Sequence, residues 1–137
     1  SILTEEEWET RVPGDGRTVG VIVHHVACVY PLEVQLAQTI AGGAPIRGVT
    51  MANVHEMNAA HALEHAAVTK DVAVELLQRN STAAAAAIRA LRDDELDQSA
   101  PASLYADAPV TCQFVLEDHA VRHSYHHLAR IQGALKG

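Results

Sequence analysis

The residues best suited to chemistry in this chain are its histidines. The last predicted helix carries His123-Ser-Tyr-His126-His127-Leu-Ala-Arg-Ile131, and a second pair, His24-His25, stands near the start. Three imidazoles drawn from two helices can ligate a divalent metal and leave coordination positions open, as catalytic rather than structural sites do. None of the nine histidines precedes His24 or falls between Ala66 and Asp118, so they cluster.

Residues four apart on a helix share a face, with Cβ atoms about 5–6 Å apart. His123 and His127 therefore point the same way, on a stripe with Leu116, Ala120, Ile131 and Ala134 that should turn inward. His25 shares an inward stripe with Val21, Ile22, Cys28, Val29 and Leu32. His24 and His126 lie about 100° from their neighbours and flank the site. Spacing alone is weak evidence, because random placement gives about 0.6 H-x-x-x-H pairs. Three are present: His61/His65, His119/His123 and His123/His127.

Energetics strengthen the case. An unpaired buried polar group costs roughly 1–3 kcal/mol, against about 5–15 kcal/mol for a whole domain. Inward histidines need partners, and few acidic residues share their stripes; Glu117 and Asp118 lie near the outer edge of theirs. A metal is the simplest partner. His61 and His65 share a stripe with Val54, Asn58, Val68 and Val72. They either approach the same pocket or serve as surface or interhelical polar residues. Cys28 follows His25 on the same side, and thiolate suits zinc, although a buried inert cysteine is the commoner role.

The elements that must position these groups read as helices. Thr4-Glu-Glu-Glu7 has the form of a capping box for a short helix to about Thr10, which Pro13-Gly-Asp-Gly16 breaks. Thr18 caps a long helix through His24-His25 to about Thr39, with Pro31 expected to kink it. A third helix spans Thr50–Ala67. Thr69 caps Lys70–Arg92, where Val72, Leu76, Ile88 and Leu91 form a stripe and Asn80-Ser-Thr82 is a candidate interruption. Asp93 to Ala108 reads as a polar connection, and the final helix runs from near Pro109 to Gly137. No strand pair stands out. The pattern predicts an all-α bundle in one domain, residues 1–137.

Composition excludes other classes. Hydrophobic residues make up 48% but aromatics only 4%, so the core must be aliphatic. A formal charge of −7 with scattered basic residues argues against nucleic acid. The apolar runs at Val19–Val23 and Ala83–Ile88 are too short to span a bilayer. Cys28 and Cys112 form no disulfide framework, and the acidic N-terminus is unlike a signal peptide. The expectation is a cytoplasmic protein. A chain starting at Ser1 reads as processed or shortened.

Thr18-Val-Gly-Val-Ile-Val-His-His-Val-Ala27 and His123-Ser-Tyr-His-His-Leu-Ala-Arg-Ile131 resemble the DinB/YfiT-like superfamily of metal-binding four-helix bundles. Leu3-Thr-Glu-Glu-Glu-Trp8 with Pro13-Gly14, and Leu91-Arg-Asp-Asp-Glu-Leu96, echo it more weakly. The resemblance implies an up-down four-helix bundle and a divalent metal, zinc or nickel. One histidine of the second bundle helix and the H-x-x-x-H pair of the last would hold the metal: His25, His123 and His127. His25 is preferred over His24 because the family's histidine is usually followed by an apolar and a small residue, here Val26-Ala27. Some relatives activate a low-molecular-weight thiol, such as bacillithiol or mycothiol, for S-transfer or isomerisation. Two departures stand out. Arg17 replaces an aromatic before the second helix. The first bundle helix should precede Leu3 and is short or absent; the Thr50–Ala67 helix or a partner chain takes its place, or the chain is cut.

Three functions compete. In a metal-dependent thiol transferase, the ion holds a cofactor thiol as thiolate, and no protein nucleophile is needed. A hydrolase would use the same ion to activate water and would want a carboxylate base. The third is a non-catalytic metal-binding protein. In the first, His24, His61 and His126 would surround the ligands, orienting a small-molecule substrate or donating protons. Arg17, Arg122 and Arg130 are candidates for a substrate carboxylate, though surface arginines are commoner. A homodimer would cover the open side of a three-helix core. Unperturbed imidazoles would lose metal as the pH falls through about 6.

Overall fold

Chain order in the computed structural model, which describes residues 3–136, begins with α1 (Glu5–Trp8), α2 (Val19–Ala41), α3 (Met51–Glu64) and α4 (Lys70–Arg89). It continues through α5 (Asp93–Asp97), β1 (Ser99–Ala102), β2 (Ala108–Thr111) and α6 (Cys112–Val115). A π-helical segment, Leu116–Arg122, then leads into α7 (His123–Lys136). The protein is predominantly helical, as its pattern requires.

The N-terminal segment is a lid on the core. Thr4 accepts from the Glu7 N–H at 3.1 Å and Glu7 accepts from the Thr4 N–H at 3.0 Å, a reciprocal capping box. The helix it starts ends at Trp8, two residues before the expected Thr10. Trp8 is buried, and its indole N–H donates to the Val68 carbonyl at 3.0 Å. Its ring packs against Gly20, where any Cβ would stand 2.5 Å from the nearest ring atoms. Glycine at 20 is the only residue that lets α2 pass so close.

Thr18 caps α2 by accepting from the Val21 N–H at 3.2 Å. The helix runs 23 residues with a mean hydropathy of 1.4, long and apolar enough by composition to cross a bilayer. The separate apolar runs understate it. Half of that stretch is buried within the fold, as expected of a core helix, and α4 packs along much of it. Pro31 sits inside α2 and has no N–H to offer the carbonyl of Ala27. The Asn80 side chain donates to that carbonyl instead, at 2.8 Å. Asn80 thus repairs a break in α2 and leaves α4 continuous through Asn80-Ser-Thr82, where an interruption was a candidate. The α4 stripe also differs from expectation: Ala73 and Ala84 are its buried residues, and Val72 is exposed. Small residues let α4 approach α2 closely.

Two apolar clusters hold the elements together. Trp8, Val12, Val19, Ile22, Val26 and Ala73 form one, with Ile131 and Ala134 against it. The other joins Ala37 and Ile40 of α2 to Ile46, Ala100, Ala102, Cys112, Val115 and Leu116. Helix α3 contributes to neither. It is capped by Thr50 and Asn53, is shorter than Thr50–Ala67, and buries none of its residues. It therefore does not supply the missing core face.

Between Asp93 and Ala108 the structure corrects the reading of a polar connection with no strand pair. There β1 and β2 pair antiparallel, from Ser99↔Thr111 to Ala102↔Ala108. The strands are short and built of Ser, Ala, Pro, Val and Thr, with little of the β-branched alternation that signals a strand. Ala106 and Asp107 close the turn with φ of 56° and 63°, and Pro101 faces Pro109, a pairing that asks neither residue for an N–H. The C-terminal helix also differs. Pro109 lies in β2, Thr111 caps α6 by accepting from the Phe114 N–H at 3.0 Å, and the expected end at Gly137 lies outside the described residues.

The repair of α2 gives a first prediction. Asn80→Ala leaves the Ala27 carbonyl unpaired and should cost about 1–3 kcal/mol in urea unfolding. Adding Pro31→Ala restores the backbone donor and should remove most of that loss; equal losses in both backgrounds would refute the pairing.

Candidate metal centre

Adjacent positions on one helix point about 100° apart, and α2 uses this to send His24 and His25 to different neighbours. Both are buried, at 5% and 4% exposure, so His24 does not merely flank the site. His25 meets His123 and His127 of α7. Its Nε2 lies 3.3 Å from His123 Nε2, which lies 3.0 Å from His127 Nε2. One nitrogen from each ring falls within 4.8 Å of the other two. Two imidazole nitrogens on a tetrahedral ion at about 2.0–2.1 Å stand about 3.3 Å apart, so the three residues fit a divalent metal with little movement.

His24 meets a different pair. His61 near the end of α3 and His65 just beyond it close on His24, again with one nitrogen from each ring within 4.8 Å. His61 thus lies beside His25, ring centroids 5.8 Å apart, while its nearest nitrogen contact is with His24. His126 joins neither group; it is exposed, its ring centroid 5.3 Å from that of His127.

The seven-residue π segment explains what happens to the remaining H-x-x-x-H pair. Its wider turns break the α-helical register between residues 116 and 122. His119 therefore leaves the stripe of His123 and bonds the Tyr105 hydroxyl at 2.6 Å. That hydroxyl donates to Asp118, which Arg122 also contacts at 2.8 Å. Tyr105 carries no motif in the sequence, and no spacing signal links it to Asp118 or His119. A second link sets the α2–α7 distance: the Tyr30 hydroxyl lies 2.7 Å from Ser124 Oγ, which donates to the Ala120 carbonyl. It fastens α7 next to His123.

Of the three candidate arginines, Arg122 is committed to Asp118, and Arg130 donates to the Pro13 carbonyl at 3.1 Å. Arg17 differs. Asp15 grips its Nε and Nη2 at 2.6 and 2.9 Å, while its Nη1 is buried without a partner. Its charge reaches His25 and His127. The sequence motif cannot reveal Asp15, because it stands in a Gly-rich turn with no histidine at helical spacing.

The matching sequence family decides the relationship: the DinB superfamily profile covers residues 1–131. The chain belongs to the DinB superfamily. Comparison with curated proteins and with solved structures gives no match. Superfamily membership together with the clustered histidines fits a metal-binding, enzyme-like protein.

Electrostatics in this DinB-superfamily site favour ligation. Burial, reinforced by Arg17 and the neighbouring imidazoles, pushes His25 down to about 3. Burial, aided by nearby cations and imidazoles, likewise pushes His123 and His127 down to about 4. The rings stay neutral, the form that offers a lone pair. The Nδ1 atoms of His123 and His127 are buried without a protein partner. The carboxylate that commonly orients a ligating histidine is thus absent there among the described residues, and packing sets the rings.

These shifts move acid sensitivity below the value for free imidazole. In the folded chain, protons compete for these nitrogens near pH 4 rather than near 6. The unfolded chain takes up its protons first, at about 6.5, so stability is complete above that pH and is lost as the pH falls from there through about 4. Metal-free protein should unfold progressively in that window in urea titrations, with uptake of protons. His25→Phe, which removes the most strongly shifted group, should flatten the profile; an unchanged profile would refute the assignment.

Proposed function

We propose that the protein is a metal-dependent enzyme whose ligands are His25, His123 and His127, and whose chemistry is transfer of a low-molecular-weight thiol to a small electrophile. The observation that carries this reading is the convergence of three neutral imidazoles, with His123 Nε2 3.3 Å from that of His25 and 3.0 Å from that of His127, beside a buried, unpartnered Arg17 Nη1. A bound zinc or nickel ion would supply Lewis acidity, lowering the pKa of a substrate thiol so that it enters as thiolate. The chain's own groups do the rest. The imidazoles hold three coordination positions and leave others open. Arg17, fixed by Asp15, offers its Nη1 to an anionic group of the thiol substrate, such as the carboxylates of a bacillithiol-like molecule. Exposed beside His127, His126 would orient substrate or move protons, while the buried His24 meets His61 and His65 instead. No protein nucleophile is required.

The hydrolase reading has one point in its favour, the proximity of Asp15 to His127. Yet the Arg17 hydrogen bonds and charge hold the Asp15 carboxyl below its ordinary range. A carboxylate so stabilised is a poor general base. The thiol reading is therefore preferred.

Conjugation of a generic electrophile with a panel of thiols, bacillithiol and mycothiol included, tests the proposal. Turnover should vanish on chelation and return with metal. His123→Ala should abolish it, while His126→Ala should leave most of it. Arg17→Gln should raise KM for a carboxylated thiol by about tenfold, the worth of one charged hydrogen bond. Metal-dependent ester or amide hydrolysis without thiol turnover would replace this reading, and no metal-dependent turnover would leave a binding protein.

We also infer a cytoplasmic homodimer. Val121, Tyr125 and Leu128 are exposed at 48–70% along one side of the C-terminal helix, and pairing two copies would cover them. Sedimentation equilibrium should show a dimer at micromolar concentration that Tyr125→Glu dissociates; a monomeric wild type would overturn it.

A further inference from the structure

The most unusual contact in the molecule is the one that holds α3. This helix buries none of its fourteen residues, and Met51, Met57 and Leu63 on it are exposed at 51–84%. A helix of that length is marginal on its own in water. It nonetheless lies against α2, and the groups that meet there are imidazoles. His24 Nδ1 lies 2.7 Å from His61 Nε2, and the ring of His65 stands 4.2 Å from that of His24 and 4.7 Å from that of His61. His24 is buried, and His61 Nδ1 is buried without a partner. Polar rings gathered at an otherwise dry-contact-poor junction are a costly way to attach a helix unless something joins them.

A thiol stands beside His24. Cys28 lies one turn beyond His24 on α2, its Sγ 3.5 Å from His24 Nδ1. A sulfur at about 2.3 Å and a nitrogen at about 2.0–2.1 Å from one tetrahedral zinc stand about 3.5 Å apart. The Glu64 carboxylate is farther out, 4.0 Å from His65 and largely exposed. We propose that His24, His61 and His65, with Cys28 as fourth ligand, form a second divalent metal site that clamps α3 onto the bundle.

The site follows from the side chains alone and does not depend on the chemistry proposed for His25, His123 and His127. Three imidazoles converge as they stand, and Cys28 Sγ, drawn in from beside His24, would close a tetrahedron that suits a structural ion of the zinc type. Binding releases the Cys28 proton to solvent. The 2.7 Å spacing of His24 and His61 must open by about 0.6 Å to reach the edge of a zinc tetrahedron. Helix α3, with no buried residue to hold it, can make that movement.

The test uses the full chain, stripped with chelator and titrated with cobalt(II). Wild type should bind two equivalents and develop a thiolate-to-cobalt charge-transfer band. His123→Ala should retain one equivalent with the band. His65→Asn, a change at a half-buried position just past the end of α3 that spares folding, should retain one equivalent and lose the band. Hydrogen exchange should slow across Met51–Glu64 when zinc is added to wild type or to His123→Ala, but not when it is added to His65→Asn. One equivalent in wild type that disappears in His123→Ala would overturn the second site and leave the first. Two equivalents without the band in wild type would overturn Cys28 as a ligand. A single equivalent with the band in wild type, unchanged in His123→Ala, would count against the catalytic centre and leave this site standing.

Discussion

Burial of two consecutive histidines on α2 is the constraint from which the rest follows. α2 is the central helix, covered by α4 along much of its length and by the α6–α7 segment on another side. Two faces about 100° apart are therefore both interior, and polar rings occupy each. An unpartnered buried ring would cost a sizeable part of a small domain's stability. Two neighbouring elements answer for them. α7 brings His123 and His127 to His25; α3 brings His61 and His65 to His24.

The same burial sets the chemistry available. Low solvent access keeps the imidazoles neutral and leaves their lone pairs converging on one point. It also makes Arg17 consequential, since Asp15 holds only part of the guanidinium and its charge reaches the ring cluster in a medium where charges are poorly screened. Positive charge beside nitrogens that stay uncharged favours an incoming anion.

Several local departures from regular structure serve this arrangement. Proline inside α2 would leave a carbonyl without a donor, and Asn80 on α4 supplies one, joining the two helices at the level just below the histidines. Gly20 lets Trp8 close the end of the core. The π segment turns the C-terminal helix so that His127 is buried while His119 is diverted to Tyr105 and Asp118. Each of these is a place where one element's irregularity is answered by a residue on another.

What the sequence determined by itself was local. The Thr4–Glu7 capping box, the Thr18 and Thr69 caps, and the shared face of His123 and His127 are all readable within a few turns of chain, because capping and helical periodicity act over three or four residues; joining His25 to that pair, 98 residues away, rests on the family resemblance. Tertiary structure decided the rest. Only the approach of α3 to α2 joins His61 and His65 to His24, since contacts 37 residues or more apart leave no trace in spacing. Only the pairing of Ser99–Ala102 with Ala108–Thr111 makes strands of segments with weak intrinsic preference. The π register that removes His119 from its expected stripe is likewise a property of the packed chain, because the sequence 116–122 satisfies an α-helix equally well.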